Sequence, residues 1–490
     1  MLETLSMAFN PVTLFTIFVG VAAGISIGAM PGLTSTMGIA LLMPLTFAME
    51  PHIGIMLLIG EFIGAIYGGS ITAILINTPG TPSAAATVLD GYPFTRRGES
   101  GRAIGISTVA SFGGGIISGI LLIFVAHIIA SVALKFSAPE TFALAFFGIS
   151  IISSVSGKSL IKGLLSGCIG LILSLVGIDN ITGFTRFAFG TTFLMGGFSF
   201  IPVMVGLFAM SQCFLNIEDI EQKNTLTQKI TRALPTLQDI KTIWKTILRG
   251  GLTGTFIGAM PGAGGDISAF ISYDMERRFS KHPQLFGTGI PEGIAAPESS
   301  NNGTTGGALI PLLTLGIPGD SNTAVMLGAL MIHNLIPGPM LFVQQAATVN
   351  TLFIGFMVAN IFMLILGLSG IRLFVRIVQI PSRILIPIII VLCILGSFAI
   401  NNNFLDVVVM LVAGFFGYIL IKGGFPLSPI VLALILGPMA EGNLRRSLVM
   451  SQGNPIIFIE RPIAAAFIVI GVISLFLPII KEAIKVYRRK

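Results

Sequence analysis

Charged side chains are scarce in this sequence. Among 490 residues there are 28 Lys or Arg and 21 Asp or Glu, which together make 10% of the chain, whereas soluble domains carry about 25%. A soluble chain of this length needs more polar residues to cover its surface. With 53% hydrophobic residues and a mean hydropathy of +0.94, the sequence predicts an all-α polytopic membrane protein, because each span needs about 20 mostly apolar residues.

Cysteine is also rare, and this excludes several function classes. The cysteines Cys168, Cys213 and Cys393 lie in apolar stretches, and neither a Cys-x-x-Cys pair nor a metal-ligand spacing of histidines occurs, so no metal centre is expected. The net charge of +7 comes from basic residues spread over short loops. This pattern is typical of membrane orientation signals, so we expect no nucleic-acid partner, and we expect no cofactor.

An internal repeat organises the chain. The hexapeptide IGAMPG occurs at Ile27–Gly32 and again at Ile257–Gly262, 230 residues later. A further Pro-Gly pair follows each copy, at Pro79-Gly80 and at Pro318-Gly319, and these pairs are 239 residues apart. Two elements that recur in the same order predict a duplicated unit.

Each Pro-Gly pair interrupts an apolar run. Proline removes a backbone donor and clashes with the preceding helical turn, and glycine permits the non-helical backbone that follows. Non-helical backbone at membrane depth is tolerated where it is buried in protein or lines a cavity. The four breaks therefore predict a site around which the chain leaves helical geometry. The alternative is a set of kinked helices without a ligand.

The first repeat is predicted over residues 1–215. We expect a re-entrant hairpin over 12–48 with its tip at Pro31–Thr36, a span over 53–90 broken at Pro79-Gly80, and about four scaffold helices over 103–215. The N-terminal stretch has no Lys or Arg, and Arg96, Arg97 and Arg102 follow the broken span. The basic-residue bias therefore places the N-terminus in the periplasm and these arginines in the cytoplasm.

The second repeat is predicted over residues 250–490, after a polar segment at 216–249 whose six basic residues indicate a cytoplasmic connector. It contains a hairpin over 250–272 with its tip at Pro261–Ser268, a span over 303–337 broken at Pro318-Gly319, and scaffold helices over 340–480. Because this repeat starts on the opposite face, the two repeats are inverted. Inverted repeats are typical of secondary transporters, whose site lies at the repeat interface.

The predicted topology ends with a cytoplasmic C-terminus and contains one disagreement. Arg445, Arg446 and Arg461 fall outside in this scheme, against the basic-residue bias. The topology of 427–461 therefore stays open.

The four breaks are rich in small and hydroxyl-bearing residues. A half-helix that begins after a break offers free N–H groups and a positive dipole end, and such a terminus can bind a carboxylate without a buried arginine. Alternatively, these side chains only cap their helices. The predicted substrate-binding residues are Thr34, Ser35, Thr36, Asn77, Thr78, Gly80, Thr81, Ser83, Gly262, Gly264, Gly265, Ser268, Gly319, Ser321, Asn322 and Thr323.

Two carboxylates, Asp266 and Asp320, lie at the breaks of the second repeat. Ionisable groups within a membrane are costly and mark functional sites. We predict that Asp266, Asp320, Asn322 and Thr323 hold the coupling ion, with Na⁺ at the last three, because hard cations take several oxygen ligands. A proton carried by one carboxylate is the competing coupling ion, and each aspartate could instead be a plain N-cap.

Two further polar features stay unassigned. Glu61 lies in an apolar span, where it could form a pair or relay protons. The segment 297–302, Pro-Glu-Ser-Ser-Asn-Asn, either caps the second broken span or faces the substrate path.

An enzymatic function is not expected. Intramembrane aspartyl proteases carry Tyr-Asp on one helix and Gly-x-Gly-Asp on another. This chain has Tyr273-Asp274, but the other motif reads Ala263-Gly264-Gly265-Asp266, and the two aspartates are only eight residues apart. A Gly-Lys-Ser/Thr phosphate-binding loop is absent as well.

Long motifs resemble the large membrane subunit of the tripartite tricarboxylate transporter family. The matching stretches are Gly24–Thr36, Tyr67–Pro93 and Gly254–Pro339, with Tyr67-Gly68-Gly69-Ser70, Asn77-Thr78-Pro79-Gly80-Thr81-Pro82, Asp90-Gly91-Tyr92-Pro93 and Ala295–Asp320 as their most specific parts. The resemblance implies a permease in the bacterial inner membrane that imports carboxylates such as citrate by symport with an ion. It also implies two partners, a periplasmic substrate-binding protein and a small four-helix membrane subunit. Assembly into a homo-oligomer stays open.

A second resemblance concerns mechanism. Ser321-Asn322-Thr323 is similar to the Ser-Asn-Thr signature of Na⁺-coupled dicarboxylate carriers, which place it beside a re-entrant hairpin and move as elevators. The first repeat has Thr81-Pro82-Ser83 instead, so the symmetry of the signature is incomplete. An elevator-like fold is expected by analogy. The competing functions are a self-sufficient ion-coupled carboxylate carrier, a passive channel and a membrane scaffold.

Overall fold

The computed structural model describes residues 2–30, 32–150, 159–179, 181–218, 234–262, 264–370, 373–374, 376 and 382–487. Pro31 and Ala263 at the predicted hairpin tips, and residues 219–233 of the predicted connector, lie outside these ranges. Over the described ranges the regular structure is helical apart from a two-residue ribbon, in which Gly177–Ile178 (β1) pairs with Thr185–Arg186 (β2).

Ten helices of the described chain lie before Ser211, together with short 3₁₀ segments at Met43–Ala48 and Pro82–Ala84 and a π-helical turn at Val205–Met210. They are α1 (Leu2–Ala8), α2 (Pro11–Gly28), α3 (Ser35–Leu42), α4 (Pro51–Ile76), α5 (Val88–Arg96), α6 (Ser100–Ala133), α7 (Ala138–Ser150), α8 (Leu160–Ser174), α9 (Thr192–Met195) and α10 (Phe200–Met204).

The helices that follow in the described chain are α11 (Ser211–Glu218), α12 (Leu237–Gly258), α13 (Gly264–Phe279), α14 (Pro291–Leu315), α15 (Ser321–Ile332), α16 (Pro339–Gln344), α17 (Ala346–Ser369), α18 (Ser382–Asn401), α19 (Phe404–Lys422), α20 (Ser428–Met450), α21 (Ile457–Glu460) and α22 (Pro462–Tyr487), with a 3₁₀ turn at Pro283–Leu285.

Six helical segments of the described chain are long and apolar enough to cross a membrane. They are Pro11–Gly28, Pro51–Ile76, Ser100–Ala133, Phe200–Glu218, Ala346–Ser369 and Phe404–Lys422. The prediction of an all-α polytopic membrane protein is confirmed at this level.

Local sequence explains where several of these helices begin. The Asn10 side chain accepts the N–H of Val12 at 2.9 Å and Pro11 occupies the first turn of α2, where a missing N–H costs nothing. At the start of α12, Thr236 and Asp239 form a reciprocal capping box, which satisfies two otherwise free N–H groups.

The chain forms two compact units. Unit 1 comprises Met1–Ala130 and Gln212–Asn402, and unit 2 comprises Ser131–Ser211 and Asn403–Lys490. Both hairpins and both broken spans belong to unit 1. The predicted repeats are stretches of sequence, and each contributes to both units.

In unit 1, α2 crosses α4 and α12 crosses α14. Glycines at equivalent positions of the two repeats form both crossings. A Cβ added to Gly24 would overlap the carbonyl oxygen of Glu61, and a Cβ added to Gly254 would overlap that of Ser300. Gly254 is 230 residues after Gly24, and Ser300 is 239 residues after Glu61, the same offsets as in the sequence repeat. Glycines of this kind let helix backbones approach closely in membranes.

The same register extends along both helix pairs. Three further contacts of the first repeat have an equivalent in the second. Gly28 approaches Ala65 as Gly258 approaches Thr304, and Gly64 approaches Val21 as Gly303 approaches Gly251. Gly68 approaches Ile25 as Gly307 approaches Thr255. The packing therefore supports the duplication inferred from the two Pro-Gly motifs.

In unit 2, ion pairs involve two of the three arginines that disagreed with the predicted topology. Arg445 contacts Asp179 at 2.7 Å, and Arg461 contacts Glu140 at 3.2 Å. Hydrogen bonds from Thr182 and Arg445 hold the pKa of the Asp179 carboxyl well below its usual range. Arg445 and Arg461 thus have a structural role in joining loops to helices, independent of any orientation signal.

Candidate functional site

Each of the four predicted breaks is a break in helical structure in unit 1. The Thr34 hydroxyl caps α3 by accepting the N–H of Met37 at 3.2 Å. The broken spans end α4 and α14 in the left-handed backbone region, at Asn77 with φ of 59° and at Gly316 with φ of 70°. These two residues are 239 positions apart, so the helix ends are equivalent in the two repeats.

After each broken helix the chain turns back against its own hairpin. The N–H of Gly80 donates to the carbonyl of Gly69 at 3.1 Å, and a Cβ at Gly80 would overlap the carbonyl oxygen of Gly28. In the second repeat, a Cβ at Gly319 would overlap the carbonyl oxygen of Gly258. The two Pro-Gly glycines are therefore required by close backbone approach, and neither presents a side chain to a ligand.

The first tip meets the second break. The hydroxyl of Thr36 donates to the amide oxygen of Asn322 at 2.8 Å, and both side chains are buried. The second tip also reaches this break, because the N–H of Gly262 donates to the carbonyl of Gly319 at 2.6 Å. The start of α15 therefore lies between the tips of both hairpins.

The first break meets the second tip in the reciprocal arrangement. A Cβ on Gly265 would lie 3.1 Å from the Cβ of Ser83, and the Asn301 side chain donates to the Ser83 carbonyl at 3.2 Å. At offsets of 230 and 239, Thr36 corresponds to Asp266 and Asn322 corresponds to Ser83. The two repeats therefore contact each other through equivalent tip-to-break junctions.

The carboxylates of the second repeat have different surroundings. Asp320 caps α15, accepting the Thr323 N–H at 2.8 Å, the Thr323 hydroxyl at 2.6 Å and the Asn322 amide at 3.1 Å. Asp266, in the first turn of α13, is exposed. Asp320 lies next to the second tip, because a Cβ on Gly264 would be 3.8 Å from the Cβ of Asp320.

Any cation here needs ligands beyond these two carboxylates. Among the described residues, no group of three or more His, Cys, Asp and Glu side chains is arranged to hold a metal ion. The remaining ligands would be hydroxyl, amide and backbone oxygens, which are the ligands that hard cations accept.

Most of the predicted binding residues lie together, in what we call the tip-and-break cluster. Its members are Thr34, Ser35, Thr36, Gly80, Thr81, Ser83, Gly262, Gly264, Gly265, Asp266, Gly319, Asp320, Ser321 and Asn322. The buried hydroxyl of Ser35 has no hydrogen-bond partner among the described residues, and the Thr81 and Ser83 hydroxyls lie 3.1 Å apart.

Four predicted residues have other positions or contacts. Asn77 and Thr78 are exposed at the end of α4, where the Thr78 hydroxyl donates to the Ile76 carbonyl at 3.4 Å. Ser268 is hydrogen-bonded to Ser300 within the α13–α14 packing. Thr323 is occupied by the capping box with Asp320.

A buried polar group around Glu298 lies beside this cluster, and sequence reasoning did not assemble it. Glu298 is fully buried on α14 and accepts hydrogen bonds from Thr87, from Ser111 at 3.1 Å, from Ser107 at 3.3 Å and from Asn301 at 3.4 Å. The capping interpretation of segment 297–302 is wrong, because α14 begins at Pro291. The run of Glu, Ser and Asn in a buried helix was the available signal.

The Asp90-Gly91-Tyr92-Pro93 motif forms a structural junction. The Asp90 carboxylate accepts the Tyr273 hydroxyl at 2.8 Å and the N–H groups of Gly287 at 2.9 Å and Gly289 at 2.7 Å. This carboxylate holds α5 to the loop that precedes α14.

Comparison with known proteins assigns the whole arrangement to a family. A family model described as "Tripartite tricarboxylate transporter TctA family" matches residues 14–432. This chain belongs to that family. The TctA family is a transporter family, so the chain is a multi-pass membrane component of a tricarboxylate transporter, and the tripartite composition implies partner subunits.

Relatives of this TctA-family chain occur in Agrobacterium vitis. A protein described as an uncharacterized 52.8 kDa protein in the TAR-I ttuC' 3' region is 38% identical over 478 residues, which are 97% of this chain and 95% of that protein. An uncharacterized protein in the TAR-II ttuC' 3' region is 37% identical over 227 residues, which are 46% of this chain and 94% of that protein. No solved structure shows significant similarity.

Proposed function

We propose that this chain is the permease subunit of a binding-protein-dependent secondary transporter, which imports tricarboxylates or related carboxylates such as citrate on an ion gradient. The observation that supports this most strongly is the reciprocal contact of tips and breaks. Thr36 and Asn322 meet at one junction, and Ser83 and Gly265 meet at the other. Membership in a tricarboxylate transporter family gives this cluster its proposed ligand class.

The substrate would bind at the cluster through hydroxyls, amides and free N–H groups. The α3 and α15 helices begin there and direct N–H groups and positive dipole ends toward it. Thr34, Ser35, Thr81 and Ser321 add hydroxyl donors. This arrangement suits carboxylate groups, whose oxygens are hydrogen-bond acceptors.

Ion coupling follows from the acidic residues beside the cluster. A carboxylate substrate placed near Asp266 and Asp320 would be repelled unless a cation or a proton joined it. We propose that Na⁺ or H⁺ enters with the substrate, with Asp266, Asp320, Asn322 and Thr323 as its ligands. Substrate and ion then each improve the binding of the other, as symport requires.

In the membrane, the repeats would be inverted and the cluster would lie near the midplane. We propose the bacterial inner membrane, with the N-terminus in the periplasm and the C-terminus in the cytoplasm. By analogy with elevator carriers, the hairpins and broken spans would move against the remaining helices. A periplasmic substrate-binding protein would deliver the carboxylate, and a small four-helix membrane subunit would complete the complex.

The test is uptake of labelled citrate into proteoliposomes that contain this chain and its small-subunit partner. Uptake is measured with and without the cognate binding protein, and with an inward Na⁺ gradient, an inward H⁺ gradient or neither. We expect uptake only when the binding protein and one of the two gradients are present. Substantial uptake without binding protein would indicate a self-sufficient carrier, and flux that ignores both gradients would indicate a passive channel.

A further inference from the structure

One buried carboxyl in unit 1 has no role in the tip-and-break cluster. Glu61 lies in the interior of α4, and its side chain is fully buried. Neither of its carboxyl oxygens has a hydrogen-bond partner among the described residues. The carboxyl lies between the arms of the first hairpin, directly against Gly38 of α3 and near Ile27 of α2.

The surroundings of Glu61 determine its charge state. An ionised carboxylate without hydrogen bonds in an apolar environment is far more costly than the neutral acid, and buried groups of this kind neutralise. We propose that Glu61 is a proton-binding site of this chain, occupied by a proton while the first hairpin packs on α4 as in this structure. The proposal rests on the proposed function, because it identifies the coupling ion as a proton.

The second repeat shows that this helix crossing does not require a carboxyl. Ser300 occupies the position equivalent to Glu61 at the offset of 239, and Ser268 occupies the position equivalent to Gly38 at the offset of 230. The Ser268 and Ser300 hydroxyls are hydrogen-bonded to each other. The first repeat therefore carries a carboxyl without a hydrogen-bond partner in the described chain, where the second repeat carries two hydroxyls that are hydrogen-bonded to each other.

Charged neighbours do not satisfy Glu61 either. The helices α2, α3 and α17, which pack on α4, contain no titratable side chains. The other titratable groups on α4 and on elements in contact with it include His52, Tyr67, Asp90, Tyr92, Arg96, Arg102, His127, Glu292, Glu298, Asp320 and His333. Within the described chain none of these is hydrogen-bonded to Glu61, and Asp90 and Glu298 have the partners given above.

A conformational cycle can use such a group directly. While α3 covers it, the carboxyl retains its proton because it is fully buried and has no hydrogen-bond donor among the described residues. Displacement of the hairpin from α4 would admit water, stabilise the carboxylate and release the proton on that side of the membrane. One proton binds and one proton leaves, so no other reactant is needed.

Infrared spectroscopy of the purified full-length chain in lipid tests proton binding without any substrate. Difference spectra between acidic and alkaline pH are compared for the wild type and Glu61→Gln. We expect a protonated-carboxyl C=O band that disappears at alkaline pH in the wild type and is missing from the variant. Spectra in which the two proteins do not differ would overturn the proposal.

Transport measurements link this site to coupling. In proteoliposomes with the partner subunit and binding protein, Glu61→Gln should lose citrate accumulation driven by a proton gradient while citrate counterflow persists. The double variant Gly38→Ser with Glu61→Ser recreates the serine pair of the second repeat and should behave in the same way. Proton-driven accumulation that persists in Glu61→Gln would contradict the proposal. Absence of all citrate transport in the wild type would refute the proposed citrate transport, and the infrared result would still decide whether Glu61 binds a proton.

Discussion

The α2–α4 pair of the first repeat and the α12–α14 pair of the second repeat have the same backbone packing and different polar residues. Gly24 faces the backbone of Glu61 as Gly254 faces that of Ser300. The side chains at those two positions differ, since one is a carboxyl with no hydrogen-bond partner among the described residues and the other is a hydrogen-bonded hydroxyl. Small residues thus determine how closely the helices pack, and the polar side chains at the crossing differ between the two repeats.

The largest effect is expected from breaking the shared crossing itself. Gly24→Ala and Gly254→Ala each place a methyl group against a carbonyl oxygen of the partner helix. Overpacking of this kind costs about 1–3 kcal/mol or more, so both variants should unfold at clearly lower temperature in detergent. Gly442→Ala is the matched control, because nothing lies within 4 Å of a Cβ at that position in α20. If Gly24→Ala and Gly254→Ala unfold at the same temperature as Gly442→Ala, the packing argument is wrong.

The next largest effect is expected at the tip-to-break junctions, and it should differ between the two. Asn322→Ala leaves the buried Thr36 hydroxyl without its acceptor, and an unsatisfied buried group costs about 1–3 kcal/mol, which is roughly 5- to 150-fold in an equilibrium. Citrate uptake should fall by about that factor. Ser83→Ala, at the equivalent position, should have a smaller effect, because Asn301 bonds to the backbone carbonyl of Ser83 rather than to its hydroxyl. Equal uptake in the two variants would mean that the junctions are functionally the same.

A third test compares Asp266 with its equivalent, Thr36. Asp266→Asn removes a negative charge next to Asp320 and keeps the size of the side chain. We expect citrate uptake to change its dependence on Na⁺ or on pH, whereas Thr36→Ser should leave that dependence unchanged. If uptake in Asp266→Asn has the ion and pH dependence of the wild type, Asp266 has no part in ion coupling.

Unit 2 offers a carboxylate with the opposite surroundings to Glu61. Asp179 is held ionised by Thr182, Arg445 and Arg186. Because its folded pKa lies below the unfolded value of about 3.9, its contribution to stability is present above that value and is lost as the pH falls through the folded pKa. Asp179→Asn should lower the unfolding midpoint by a few degrees, and the difference from the wild type should stay constant between neutral pH and about pH 5. If the difference in unfolding midpoint disappears between neutral pH and about pH 5, the ion pairs of Asp179 do not stabilise the folded state.

The smallest effect concerns the left-handed residues that end the two broken helices. Gly316→Ala puts a Cβ where φ is 70°, at a cost of about 1 kcal/mol. Asn77→Gly relaxes the equivalent position, where φ is 59°, and should change stability by only a few tenths of a kcal/mol. Chemical unfolding of the two variants side by side measures this contrast, and equal destabilisation would contradict it.

Much of this architecture could be predicted from the sequence, because its determinants are local. The Pro-Gly pairs marked the breaks at Pro79-Gly80 and Pro318-Gly319, and the repeated hexapeptide marked the first helix of each pair. The hydroxyl-rich first tip and second break led to Thr36 and Asn322, which meet in the structure.

Other features depend on contacts between distant residues and could not be read from spacing. Three partners of Glu298 are distant in sequence: Thr87 of the segment before α5 is 211 residues away, and Ser107 and Ser111 of α6 are 191 and 187 residues away. Asn77 and Thr78 lie outside the cluster, exposed where α4 ends in the left-handed backbone region. The glycines at every fourth residue of α2 and α12 are the local sequence signal for the close helix crossing.

The central claim is that the tips and breaks of both repeats form one substrate site. Its most direct test is protection from a thiol reagent, after replacement of Cys168, Cys213 and Cys393. Thr34→Cys and Ser321→Cys report on the first tip and the second break, and Asn77→Cys, exposed and outside the cluster, is the control. We predict that citrate slows labelling of the first two and leaves the control unchanged. If citrate is transported while neither cluster position is protected, the substrate binds elsewhere and the account is wrong.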